Sequence, residues 1–132
     1  MQKIDRLQVR RLSYEEMEGG PIVAKTTNYT AVAADSGKLL VGEKAGGTWT
    51  LTLPAVAIGK DCVFRAIQTQ AENFVIVAPS DTLVCKNNAA ADLVKFETST
   101  ELIGASCMIL CDGTKYYFFN TSGCKDSDGA EV

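Results

Sequence analysis

Residues 106–120 read SCMILCDGTKYYFFN and carry the strongest fold signal in the chain. Two apolar and aromatic runs flank Asp112-Gly113. Asp-Gly between such runs is a strong β-hairpin signal, because both central residues of a type I′ turn need positive φ. The spacing predicts strands over 106–111 and 114–120. Side chains alternate across a strand, so Tyr116 and Phe118 share one face and Tyr117 and Phe119 the other. One face enters the core. The second needs cover too, from a neighbouring strand layer or a second subunit.

The same signature extends back towards residue 22. Short β-favouring runs alternate with turn residues: 28–33 (NYTAVA), 38–42 (KLLVG), 48–53 (TWTLTL), 62–67 (CVFRAI) and 74–78 (FVIVA), with weaker runs at 83–85 and 93–96. In 48–53, Trp49, Leu51 and Leu53 fall on one side and threonines on the other, which assigns Trp49 to the core. Asp35-Ser36-Gly37 and residues 42–47 read as hairpin loops, and residues 87–92 as a loop. Turns recur every ~8–12 residues and no long helix is indicated. That pattern predicts an all-β domain: a small β-sandwich, jelly roll or β-barrel of about eight strands.

The chain has 132 residues, the size of one domain. Its formal net charge is −3, which argues against generic nucleic-acid binding. No apolar run approaches the ~18 residues of a membrane helix. There is no histidine. This removes His-dependent triads, the usual His-containing zinc sites and His-based pH switching.

Five cysteines occur, Cys62, Cys85, Cys107, Cys111 and Cys124, with no CxxC pair. An odd count leaves one over in any closed disulfide framework. They read as buried free thiols acting as small hydrophobes, implying a reducing compartment for folding. Cys107 and Cys111 share a strand face but lie ~13 Å apart along it, too far to share one metal ion. No metal site or cofactor is expected.

No base–nucleophile pair can be named, so the chain reads as non-enzymatic, with no catalytic residues. Asp35-Ser36-Gly37 could imitate a catalytic turn, but reads better as an ordinary loop. Asp81 and Asp92 read as turn formers rather than a glycosidase pair. The loop 42–47 is glycine-rich without being a phosphate loop, since no helix follows. Asp126-Ser127-Asp128-Gly129 lacks the remaining ligands of a calcium loop.

Residues 1–21, MQKIDRLQVRRLSYEEMEGGP, stand apart in composition and end in the breaker Gly19-Gly20-Pro21. Arg6, Arg10, Arg11 and Lys3 make the start basic; Glu15, Glu16 and Glu18 follow as an acidic patch. The apolar positions fit neither a helix stripe nor strict alternation. Ser13 as N-cap with Glu16 at the capping-box position marks at most a short helical turn. The segment reads as an extended N-terminal arm reaching up to ~65 Å. Mixed apolar and basic residues suit docking on a partner, and Ile4, Arg6, Leu7, Arg10, Arg11 and Leu12 are the candidate contacts. Charges interrupt this stretch too often for an export signal. The expected organisation is an arm (1–21), a β-domain (22–122) and a flexible acidic tail (123–132).

One stretch resembles a pattern met in tailed-phage virion proteins: Y-T-V-x-A-x-D-S-G-K, a strand, a glycine-containing turn, then V-T-V-T-L-P-x-A-x-x-G. Tyr29, Asp35, Ser36, Gly37, Lys38, Thr50-Leu51-Thr52-Leu53-Pro54 and Gly59 occupy its positions. The resemblance covers about residues 26–80, and more loosely the closing hairpin. It implies a structural β-domain of a virion, most like a small capsid decoration (cement) protein. Such proteins are often trimers that reinforce the shell. The implied partners are the major capsid protein and further copies of this chain, with Tyr117 and Phe119 at the oligomer interface. The implied location is the capsid surface, after synthesis in a host cytoplasm. The competing expectation is a receptor- or glycan-binding module of a head fibre, tail fibre or baseplate, using loops 42–47 or 86–92.

Overall fold

The computed structural model describes residues 21–120 and 123–126. They form two mixed β-sheets, of seven and five strands, packed face to face. The first half of the domain is a coil that alternates between the sheets. Ile22–Lys25 (β1), Leu39–Gly42 (β3) and Val63–Gln68 (β5) are parallel neighbours in the larger sheet. Tyr29–Thr30 (β2), Trp49–Thr52 (β4) and Phe74–Val77 (β6) are parallel neighbours in the smaller one.

The second half closes both sheets with antiparallel strands. Leu93–Phe96 (β9) pairs with β6, and Ser106–Cys111 (β10) with β5. Tyr116–Phe119 (β11) returns along β10. Leu83–Cys85 (β7) lies parallel to β11 and carries Asn88–Ala91 (β8) on its far side. Lys125–Asp126 (β12) pairs with β9 at the edge of the smaller sheet.

Alternation along each strand supplies the core. Trp49, Phe74 and Phe96 are cross-strand register partners on the inner face of the smaller sheet. Their rings stack at centroid distances of 4.6 and 5.6 Å. Phe96 then meets Phe118 of the opposite sheet at 6.3 Å, which locks the layers together. Such aromatic pairs add about 0.5–1.5 kcal/mol each beyond the area they bury. Gly42 lies against the Trp49 indole, where any side chain would collide.

The all-β class is the one expected, and two packed sheets are one of the forms left open; the connectivity is not the expected one. The described residues contain twelve strands rather than about eight, because several are only two to four residues long. Asp35-Ser36-Gly37 and residues 42–47 are not hairpin loops. Each carries the chain from one sheet to the other, and the strands it joins do not pair with each other. Residues 88–91, expected in a loop, form β8. Residues 123–126 fall within the segment expected as a flexible tail, yet Cys124 and Asp126 are buried, and Asp126 accepts a hydrogen bond from Asn88 Nδ2 at 2.7 Å.

The hairpin at Asp112-Gly113 exists, with a different turn. Cys111 pairs with Tyr116, leaving four residues between them, and only Gly113 has positive φ (92°). The Asp112 carboxylate holds the loop by accepting the N–H groups of Thr114 and Lys115, each at 2.8 Å.

Candidate interaction surface

Tyr117 and Phe119 emerge together on the outer face of the larger sheet, as strand alternation requires. Neighbouring strands lie about 4.8 Å apart, so register partners form rows across that face. One row runs Ile22, Leu39, Arg65, Met108, Phe119, from β1 to β11. A second runs Val63, Leu110, Tyr117, Val84, from β5 to β7. Between β1 and β10 a third holds Ala24, Val41, Ile67 and Ser106.

Arg65 is the single charge in these rows. Ile22 and Phe119 are 63% and 53% exposed, far more than core residues and on the same surface. An antiparallel face that meets water normally alternates to polar residues. The outer face of the smaller sheet does so: one of its rows reads Thr50, Val75, Lys95, Lys125. Lys125 there pairs with Glu97 at 3.2 Å. The asymmetry between the two faces makes the outer face of the larger sheet the candidate interaction surface. A groove of about 360 Å³ crosses it, walled by Leu39, Ile67, Met108 and Phe119 around Arg65.

The Tyr117 hydroxyl donates to Asp112 Oδ2 at 2.7 Å. Accepted bonds from the Lys115 N–H, the Tyr117 hydroxyl and the Thr114 N–H hold the Asp112 carboxyl down, to about 2. The same bond to Asp112 pushes the Tyr117 phenol up. The hairpin tip beside the apolar face is therefore fixed by side chains the sequence placed there, although nothing in the sequence paired these two.

The arm residues Ile4, Arg6, Leu7, Arg10, Arg11 and Leu12 lie outside the described residues. Of the residues of the virion-like pattern, Tyr29, Asp35, Ser36 and Gly37 are tied together at one corner of the coil. Asp35 Oδ2 accepts the Tyr29 hydroxyl at 2.7 Å and the Val32 N–H at 2.9 Å. Ser36 Oγ accepts the Val63 N–H at 2.9 Å, and the Gly37 N–H donates to the Val63 carbonyl. Both side chains of the imagined catalytic turn thus hold backbone in place. Asp92 acts similarly, accepting the Asp81 N–H at 2.7 Å. In loop 42–47, Lys44 Nζ donates to the Gly46 carbonyl at 2.8 Å.

All five cysteines are buried free thiols. Burial pushes Cys107 up to about 12, which leaves it protonated and a poor nucleophile. Among the described residues no three Cys, Asp or Glu groups converge on a metal-sized space. No helix among them is long and apolar enough to cross a membrane.

No protein-family model matches the chain, and no curated protein or solved structure matches it significantly. The functional reading therefore rests on the surface itself and on the residues quoted above.

Proposed function

We propose that the protein is a non-enzymatic structural component of a tailed-phage virion: a decoration (cement) protein that binds the outer capsid surface and stabilises the shell. The observation that carries this reading is the apolar outer face of the larger sheet, with Tyr117 and Phe119 in it. A face of this breadth suits assembly with other protein surfaces. The resemblance of about residues 26–80 to virion β-domains supplies the class of assembly.

In this reading copies of the domain associate through the face bearing Tyr117 and Phe119, with a trimer favoured. The arm lies on the major capsid protein, where Ile4, Leu7 and Leu12 bury apolar area and Arg6, Arg10 and Arg11 meet carboxylates. Exposed ion pairs contribute only about 0–1 kcal/mol each. Affinity then comes from apolar burial and from several arms engaging at once. No cofactor, nucleic acid or membrane takes part.

Quantitative mass spectrometry of purified particles tests the proposal by counting this protein against the major capsid protein. A ratio near parity supports decoration. A few copies per particle move the protein to a head fibre, tail fibre or baseplate. Absence from particles removes the virion assignment altogether.

A further inference from the structure

The row Ile22–Leu39–Arg65–Met108–Phe119 begins on β1, the edge strand that follows the arm directly. Its first residue, Ile22, points outward and is 63% exposed. Immediately before it the sequence has Gly19-Gly20-Pro21 and, before that, Tyr14-Glu15-Glu16-Met17-Glu18. Glycines there remove the steric bar to a reversal of the chain. The groove has apolar walls and one central cation, Arg65. The pentapeptide offers the complementary chemistry: two large apolar side chains among three carboxylates.

We infer that residues 14–18 fold back over the outer face of the larger sheet in the same polypeptide, with Tyr14 and Met17 on the apolar walls and a glutamate on Arg65. The geometry allows it. Arg65 lies two strands from Ile22, about 10 Å, and Glu16 can stand up to about 20 Å from Ile22 along an extended chain. Phe119 lies four strands across, about 19 Å, within the roughly 27 Å that Tyr14 can reach. A second copy suits this row less well. Pairing identical faces about a two-fold axis through Arg65 would set two like charges opposite each other, and none of the three rows described holds a carboxylate to offset them. The row of Val63, Leu110, Tyr117 and Val84 stays open to a neighbouring copy, with Phe119 at the border of both.

The docked pentapeptide anchors the arm and leaves residues 1–12 free to engage a partner. The test is read on the free protein, so it succeeds or fails separately from the virion assignment. Met108 is the probe, followed by peroxide oxidation of the full chain and peptide mass spectrometry. In the unaltered protein Met108 oxidises about tenfold more slowly than in the Tyr14→Ser/Met17→Ser variant. That protection stays constant over about a hundredfold range of protein concentration. Arg65→Glu also unmasks Met108, and Glu15→Arg with Glu16→Arg in the same chain restores protection, which a merely disturbed sheet would not do. Equal rates in the unaltered chain and the Tyr14/Met17 variant overturn the inference. Protection that rises with concentration assigns the row to a second copy and overturns it as well.

Discussion

The hydroxyl of Tyr116 donates to the carbonyl of Pro54, 62 residues earlier in the chain, at 2.6 Å. This bond ties the closing hairpin to the coil at the point where β4 ends and the one-turn helix α1 (Val56–Gly59) begins. Gly59 lies directly against the same hydroxyl, leaving no room for a side chain. Tyr116 is wholly buried, and burial raises its phenol well above the ordinary range. Tyr116→Phe leaves the Pro54 carbonyl without this donor at a cost of about 1–3 kcal/mol. A urea-denaturation midpoint unchanged by the substitution would show that the bond does not hold the halves together.

Gly42→Ala should be more disruptive than its size suggests. A methyl group there overlaps the Trp49 indole, so the aromatic stack must shift, costing about 1–3 kcal/mol. The near-UV signal of Trp49 should change with it. Gly46, at φ 74° in open space, is the control. Gly46→Ala strains only its own backbone, by about 1–2 kcal/mol, and should leave the Trp49 signal intact.

Stability should fall in acid through Asp112. Its carboxyl is held at about 2 in the folded protein against an ordinary 3.8. A depressed folded value means stabilisation that is complete above the unfolded value and lost as pH falls from about 4 to about 2. Urea midpoints across that window should drop less steeply for Asp112→Asn, whose amide keeps an acceptor oxygen but does not titrate. Superimposable pH profiles for the two proteins would count against the assignment.

Phe119→Lys tests the outer face as a surface between copies. The ring is 53% exposed, so stability should move by no more than about 0.5 kcal/mol. Self-association, followed by sedimentation velocity, should weaken about tenfold or more. An unchanged sedimentation profile would remove Phe119 from the oligomer contact.

Removing residues 1–20 should weaken binding to capsid shells without unfolding the domain. The cut spares Pro21, whose carbonyl accepts the Leu39 N–H at 2.8 Å and helps seat β1 on β3. Co-sedimentation with purified shells reads the binding, and thermal unfolding checks the fold. Full binding by the truncated chain would end the arm's role.

Features set by local chemistry were legible in the residues alone. Alternation put Trp49 and Leu51 on the buried side of β4 with Leu53 buried just beyond its end, and separated Tyr116 and Phe118 from Tyr117 and Phe119. It also placed Cys107 and Cys111 together on the buried side of β10. Asp112-Gly113 marked a true hairpin because its strands are adjacent in both sequence and space. The tertiary structure decided connectivity. Asp35-Ser36-Gly37 has the same turn chemistry as a hairpin, yet it delivers β3 to a different sheet from β2, because β3 pairs with β1 and β5 instead. A turn fixes only the local reversal of the chain; partner choice depends on contacts between distant residues. The apolar surface was hidden for the same reason. Ile22, Leu39, Met108 and Phe119 sit on four separate strands, and only their register makes them one row around Arg65.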